Sequence, residues 1–96
     1  MFDVRPRIHP GEVLREEFLK PAGVPVGQLA EDLKIPLDRI SALIEGQGKV
    51  CVDTALRLSH YFGTSERFWL EMQMVYDLET ARRGAEEIRS EITPLV

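Results

Sequence analysis

The chain has a single cysteine, Cys51, in 96 residues. No disulfide can close within it, which fits a reducing cytoplasm. No apolar run approaches the roughly 18 residues of a membrane span, and the opening MFDVRPRIHPGE has no hydrophobic segment of a secretory signal. Alternating, β-branched runs are nearly absent, which argues against strands. An excess of base is missing too. Twelve Lys/Arg stand against sixteen Asp/Glu for a net charge of −4, whereas a protein that lives on phosphate contacts is usually basic. His9 and His60 have no carboxylate or cysteine at ligand spacing. There is no nucleophile–base pair and no phosphate-cradling glycine loop. The sequence therefore predicts neither an enzyme nor a metal or cofactor site.

What is present is helix punctuation. Apolar residues make up 44% and charged residues 29%, the balance of one globular domain, assigned to residues 1–96. His9-Pro10 opens a first helix with Val13, Leu14, Phe18 and Leu19 on one face, and Pro21-Ala22-Gly23 is expected to end it. A second helix after Pro25 turns Leu29, Ala30 and Leu33 inward. A third follows Pro36, buries Ile40, Leu43 and Ile44, and stops at Gly46. The fourth spans about 52–62, with Gly63 closing it. Thr64 or Ser65 caps the fifth, over about 65–92, interrupted at Gly84 and stopped before Pro94. The fold class is thus all-α, a five-helix bundle with one core.

The second and third helices, about 26–46, form a helix-turn-helix. A helix fits the DNA major groove when its inner face is pinned and its outer face is free. Here Ala30 allows close approach, Ile40 and Leu43 or Ile44 are the pins, and the outward positions are Leu37, Asp38, Ser41 and Ala42. Arg39 lies at the flank and Glu45 near the end.

The flanks make this more than a generic motif. IHPGEVLREEFLKPAGV and DTALRLSHYFGTSERFWLEMQMVYDLETARR, with the helix pair between them, resemble the HigA-type antitoxins, a branch of the repressor-like (XRE) helix-turn-helix superfamily. The resemblance covers roughly residues 8–83. It implies a dimeric autorepressor that binds a palindromic operator and neutralises a small basic RelE-like toxin that cleaves messenger RNA. Within that frame Asp38, Arg39 and Ser41 would read or touch bases. Lys34, Gln47 and Lys49 would hold phosphates, with Gln28 at a phosphate or base edge. Helix one or the acidic tail would meet the toxin.

Departures from the family pattern fall on the reading surface. The usual opening of helix three resembles Val-Pro-Pro-x-Arg-Ile-Asn; here it is Ile35-Pro36-Leu37-Asp38-Arg39-Ile40-Ser41. Lys34 replaces a turn glycine, at a cost on the order of 1 kcal/mol if φ is positive there. Cys51 replaces a threonine cap of helix four, a role Asp53 could take over. Asp38 has two readings: an ordinary first-turn acid favoured by the helix dipole, or an acceptor for a cytosine amino group.

Plainer alternatives apply elsewhere. Gln28 and Lys49 could be solvated, Arg5 and Arg7 a tail rather than a DNA-seeking arm, and Cys51 a semi-buried small residue rather than a redox sensor. Phe68, Trp69, Met72 and Tyr76 are expected in the core or a dimer interface. Two other functions remain open: a stand-alone helix-turn-helix regulator, and a protein-interaction module whose DNA recognition has degenerated.

Overall fold

The computed structural model describes residues 8–96. The arm expected at Arg5 and Arg7 lies outside the described residues. Among the described residues every regular element is helical, and they group into five helices. These are α1 (residues 10–22), α2 (Val26–Leu33), α3 (Leu37–Ile44), α4 (Val52–Phe62) and α5 (residues 66–91).

The start of α1 is capped by His9, whose Nδ1 accepts the Gly11 amide at 2.9 Å. Its middle, Leu14–Leu19, is wound as a π-helix, and Lys20 donates its amide back to Arg15. Pro21 accounts for this. A proline ring clashes with the carbonyl four residues back, and a wider turn relieves the clash. The i→i+5 ladder also brings Leu14 and Leu19, five apart, onto one buried face. Pro21 thus shapes the last turn, and Pro21-Ala22-Gly23 ends the helix as the sequence predicts. The helix continues through Ala22 and ends at Gly23, where φ is 68°.

The ends of α1, α2 and α3 share one construction. A residue just past each helix, the first after α1 and α2 and the second after α3, takes a left-handed conformation, and two backbone bonds close around it. After α2 these bonds run from the Lys34 amide to Glu31 at 3.2 Å and from the Ile35 amide to Ala30 at 3.1 Å. Gly23 and Gly46 fill the left-handed position after α1 and α3, and Gly63 after α4, but after α2 it is Lys34, at φ 60°. A Cβ is strained there.

Behind the helix pair lies one core: Leu14, Leu29, Ile40, Ala55, Leu58 and Trp69 are all but excluded from solvent. Trp69 on α5 is surrounded by Phe18, Phe62 and Phe68, with ring centroids 5.1, 6.5 and 5.1 Å away. Its indole donates to the Thr64 hydroxyl at 2.8 Å, so a large apolar group is buried with its one polar atom satisfied. Ser65 is the cap of α5, accepting the Phe68 amide at 3.1 Å. That helix is α-helical over Glu66–Ala81, tightens to a 3-10 turn at Arg82–Gly84, and resumes over Ala85–Glu91. Ile88 and Ile92 on its last part are exposed.

Two details at α4 differ from expectation. Asp53 does not cap the helix: its carboxylate takes Arg57 Nε at 2.9 Å, and Arg57 Nη1 donates to the Leu33 carbonyl at 2.9 Å. Arg57 gives one guanidinium to both partners, so the end of α2 is tied to α4. Cys51, at the cap position, makes no capping bond and is exposed, not semi-buried.

Lys34→Gly should raise the unfolding free energy by on the order of 1 kcal/mol, measured by urea denaturation. An unchanged or lower stability would mean that Lys34 makes a compensating contact.

Candidate nucleic-acid interface

The helix pair is held by a short turn, Lys34-Ile35-Pro36, whose middle residue is buried. Pro36 pre-sets the backbone before α3, and its carbonyl accepts the Arg39 and Ile40 amides at 3.1 and 3.2 Å. Ile40, Leu43 and Ile44 are buried. With three positions of one short helix committed inward, the outward ones follow from the 100° step per residue. Leu37, Asp38 and Arg39 are exposed in the first turn, and Leu37 keeps 54% of its surface. Ser41 and Ala42, one turn on, are half-buried, and Glu45 is exposed.

The remaining candidates frame this face unequally. Lys34 is exposed at the turn. Gln28, on the first turn of α2, is not free: its Nε2 donates to Asp32 Oδ1 at 2.8 Å. The other oxygen of Asp32 accepts the Tyr61 hydroxyl at 2.6 Å. That Tyr61 bond first, then the Gln28 bond and the nearby Lys34 charge, hold the Asp32 carboxyl below its ordinary range. The same bond pushes the Tyr61 hydroxyl up. Asp32 and Tyr61 were not among the residues singled out in the sequence. They are 29 positions apart, and no local pattern joins them.

Gln47 and Lys49 are exposed in the loop between α3 and α4. Lys49 Nζ lies 4.0 Å from Asp77 on α5, with both side chains largely solvated. An ion pair at that length and exposure is weak, so Lys49 remains available to a phosphate. Cys51 follows. Its sulfur is 3.4 Å from the Thr54 hydroxyl. That hydroxyl first, then the amides at the start of α4 and the Arg39 charge, hold the thiol below its ordinary range.

The electrostatics are modest. Residues 26–49 carry Glu31, Asp32, Asp38 and Glu45 against Lys34, Arg39 and Lys49. What distinguishes the face is arrangement: all three bases lie in the turn, in the first turn of α3 or in the loop after it. Phe68, Trp69, Met72 and Tyr76 are elsewhere, on α5. Trp69 is in the core, Phe68 and Met72 pack against it, and the Tyr76 ring meets His9 with centroids 4.9 Å apart. No group of three or more possible metal ligands occurs among the described residues.

Known proteins match this fold over most of the chain. No family model matches the chain. Virulence-associated protein I of Dichelobacter nodosus is 46% identical over 83 residues, covering 86% of this chain and 77% of that protein. Antitoxin HigA-1 of Vibrio cholerae is 34% identical over 85 residues, covering 88% of this chain and 80% of that one. Among solved structures, Pseudomonas aeruginosa antitoxin HigA with the higBA promoter superposes with a TM-score of 0.86 at 37% identity, over 94% of this chain and 99% of that one. With that identity and that coverage on both sides, the chain belongs to the HigA-type antitoxin family, a family of helix-turn-helix regulators and not of enzymes.

Proposed function

We propose that this protein is the antitoxin of a type II toxin–antitoxin module. It binds the operator of its own operon as a homodimer and neutralises a small basic RelE-like toxin that cleaves messenger RNA. The observation that carries the DNA half is the exposed first turn of α3, Leu37 to Arg39, set on a helix whose other face is buried. The similarity to an antitoxin structure containing its promoter supports the same half. Two copies of α3 about one DNA turn apart, roughly 34 Å, would match a palindrome. In this reading Arg39, Asp38 and Ser41 meet base edges, with Leu37 and Ala42 as apolar contacts. Lys34, Gln47, Lys49 and one face of Gln28 hold the backbone. The outer side of α5, where Met74, Leu78, Ile88 and Ile92 are exposed, is the surface left for a second copy or for the toxin.

One observation favours a second reading. Acids outnumber bases in the helix pair and its loop, as they would in a protein-interaction module that no longer reads DNA. Fluorescence polarisation on a duplex from upstream of its own gene separates the two. The antitoxin reading expects specific binding whose log K falls with log salt at a slope near −5, about 0.9 per cation for Lys34, Arg39 and Lys49 of both protomers. No preference over random duplex at low salt would sink it. The toxin half is tested by co-expression with the short basic frame beside the gene, which should relieve growth arrest and yield a co-purifying complex.

Two substitutions resolve the reading surface. Arg39→Ala should weaken specific binding by about 1–3 kcal/mol if the guanidinium reaches a base. Asp38→Ala should change which base is preferred at one operator position if the carboxylate reads cytosine. A uniform gain in affinity for all sequences would instead make Asp38 a first-turn acid that repels phosphate. Selection from a randomised operator library reads both outcomes.

A further inference from the structure

The loop that carries Gln47 and Lys49 is held from behind by two buried polar side chains, one from each end of the fold. His9 Nε2 donates to the Gly48 carbonyl at 2.7 Å, while its Nδ1 accepts the Gly11 amide at 2.9 Å. A carbonyl only accepts and a backbone amide only donates, so the pair of bonds selects the neutral imidazole with its proton on Nε2. Gln73 on α5 takes the other side of the loop. Its Oε1 accepts the Val50 amide at 2.8 Å, and its Nε2 donates to Asp77 at 3.0 Å. Asp77 is also the acid nearest Lys49. Both His9 and Gln73 are more than nine-tenths buried.

The approach of α1 to this loop is tight. A Cβ on Gly11 would fall on the Leu43 carbonyl oxygen, and one on Gly48 would press on the Leu43 backbone. The loop amides themselves return to α3, with Gln47 and Gly48 both donating to Ala42, at 2.8 and 3.1 Å. The Gly48 carbonyl points the other way, and His9 takes it. The residues on either side of Gly48 are the two loop candidates for backbone contact.

We propose that His9 is a positioning residue for operator binding. By joining the cap of α1 to the Gly48 carbonyl, it sets the height of Gln47 and Lys49 relative to α3, so that phosphate contact and base contact occur in one docked pose. This rests on the DNA-binding reading above. It adds a role, beyond capping α1, for a buried polar side chain that lies behind the proposed DNA-binding face. Phosphate contacts fix register for the base contacts, so a loop free to drift loosens both.

His9→Asn separates the two jobs of the imidazole. Asparagine is a good N-cap and can still accept the Gly11 amide, yet it is too short to reach Gly48. The variant should keep wild-type helicity. Amide hydrogen exchange at Gln47 and Gly48 should quicken by about tenfold or more, while the Leu58 amide in the core stays as protected as before. Binding to the upstream duplex should weaken several-fold, with a salt slope shallower by about two units, one for Lys49 of each protomer. In a Gln47→Ala, Lys49→Ala background, His9→Asn should cost little further affinity, because contacts already removed cannot be lost twice. An equal loss in both backgrounds would mean that His9 acts through overall stability, and would overturn the proposal. Unchanged exchange at Gln47 and Gly48 overturns it as well, whether or not the duplex binds. Failure of the wild-type chain to bind the duplex falsifies the function reading instead, so the two failures are told apart.

Discussion

Everything outward about α3 depends on how its inner face is seated. Ile40, Leu43 and Ile44 go into the core. Ala30 on α2 is small enough for the two helices to cross closely, and Gly11 lets the start of α1 lie against the Leu43 backbone. A helix of two turns with three buried positions has no rotational freedom left. Leu37, Asp38 and Ser41 face out as a consequence, without any interaction of their own to hold them there. The rest of the core serves that seating. Trp69 and its ring of phenylalanines join α5 to α1 and α4, Arg57 ties α4 to the end of α2, and His9 and Gln73 hold the loop after α3. Each tie is made by a group whose polar atoms are satisfied, and no buried side-chain polar atom among the described residues lacks a partner.

The surface so presented is unusual for a reader of DNA. It has three bases where a stronger phosphate binder would carry more, and one acid in the first turn of the helix that would enter the groove. Weak long-range attraction places the weight on geometry: a few contacts made at once, each held in position by the fold. Lys34 fits this description. It occupies a left-handed position that glycine would take without strain, and strain kept at one of four equivalent helix ends points to a use for the side chain. The Gln28–Asp32–Tyr61 chain fits too. It takes up one amide proton of Gln28 and one acceptor site on each oxygen of the Asp32 carboxylate, which fixes both side chains beside the face.

Much of this was legible in the sequence because helix ends are local. Proline, glycine and serine mark them, and the 3.6-residue pattern marks the inward face of α2, α3 and α4 without help from tertiary structure. Where local rules compete, the reading is poorer. Pro21-Ala22-Gly23 marks the end of α1, but no local signal shows that the turns before Pro21 widen to bring Leu14 and Leu19 onto one face. Asp53 could cap or pair, and Arg57 decides. His9 read as a lone histidine with no ligand partners, which says nothing of a cap two residues away and a carbonyl 39 residues away. The face of the site was legible by elimination, since the buried positions were. Its polar wiring was not, because each bond joins residues that only the fold makes neighbours.

The turn, the first turns of α3 and the following loop together make up the proposed DNA-binding face. The most direct measurement is an amide NMR map of the chain with and without a duplex from upstream of its own gene. Shifts concentrated at Gln28, Lys34, Leu37–Ala42 and Gln47–Lys49, with Phe68–Tyr76 quiet, are the predicted result. Shifts confined to α5, or the same map with random duplex at equal strength, would contradict it.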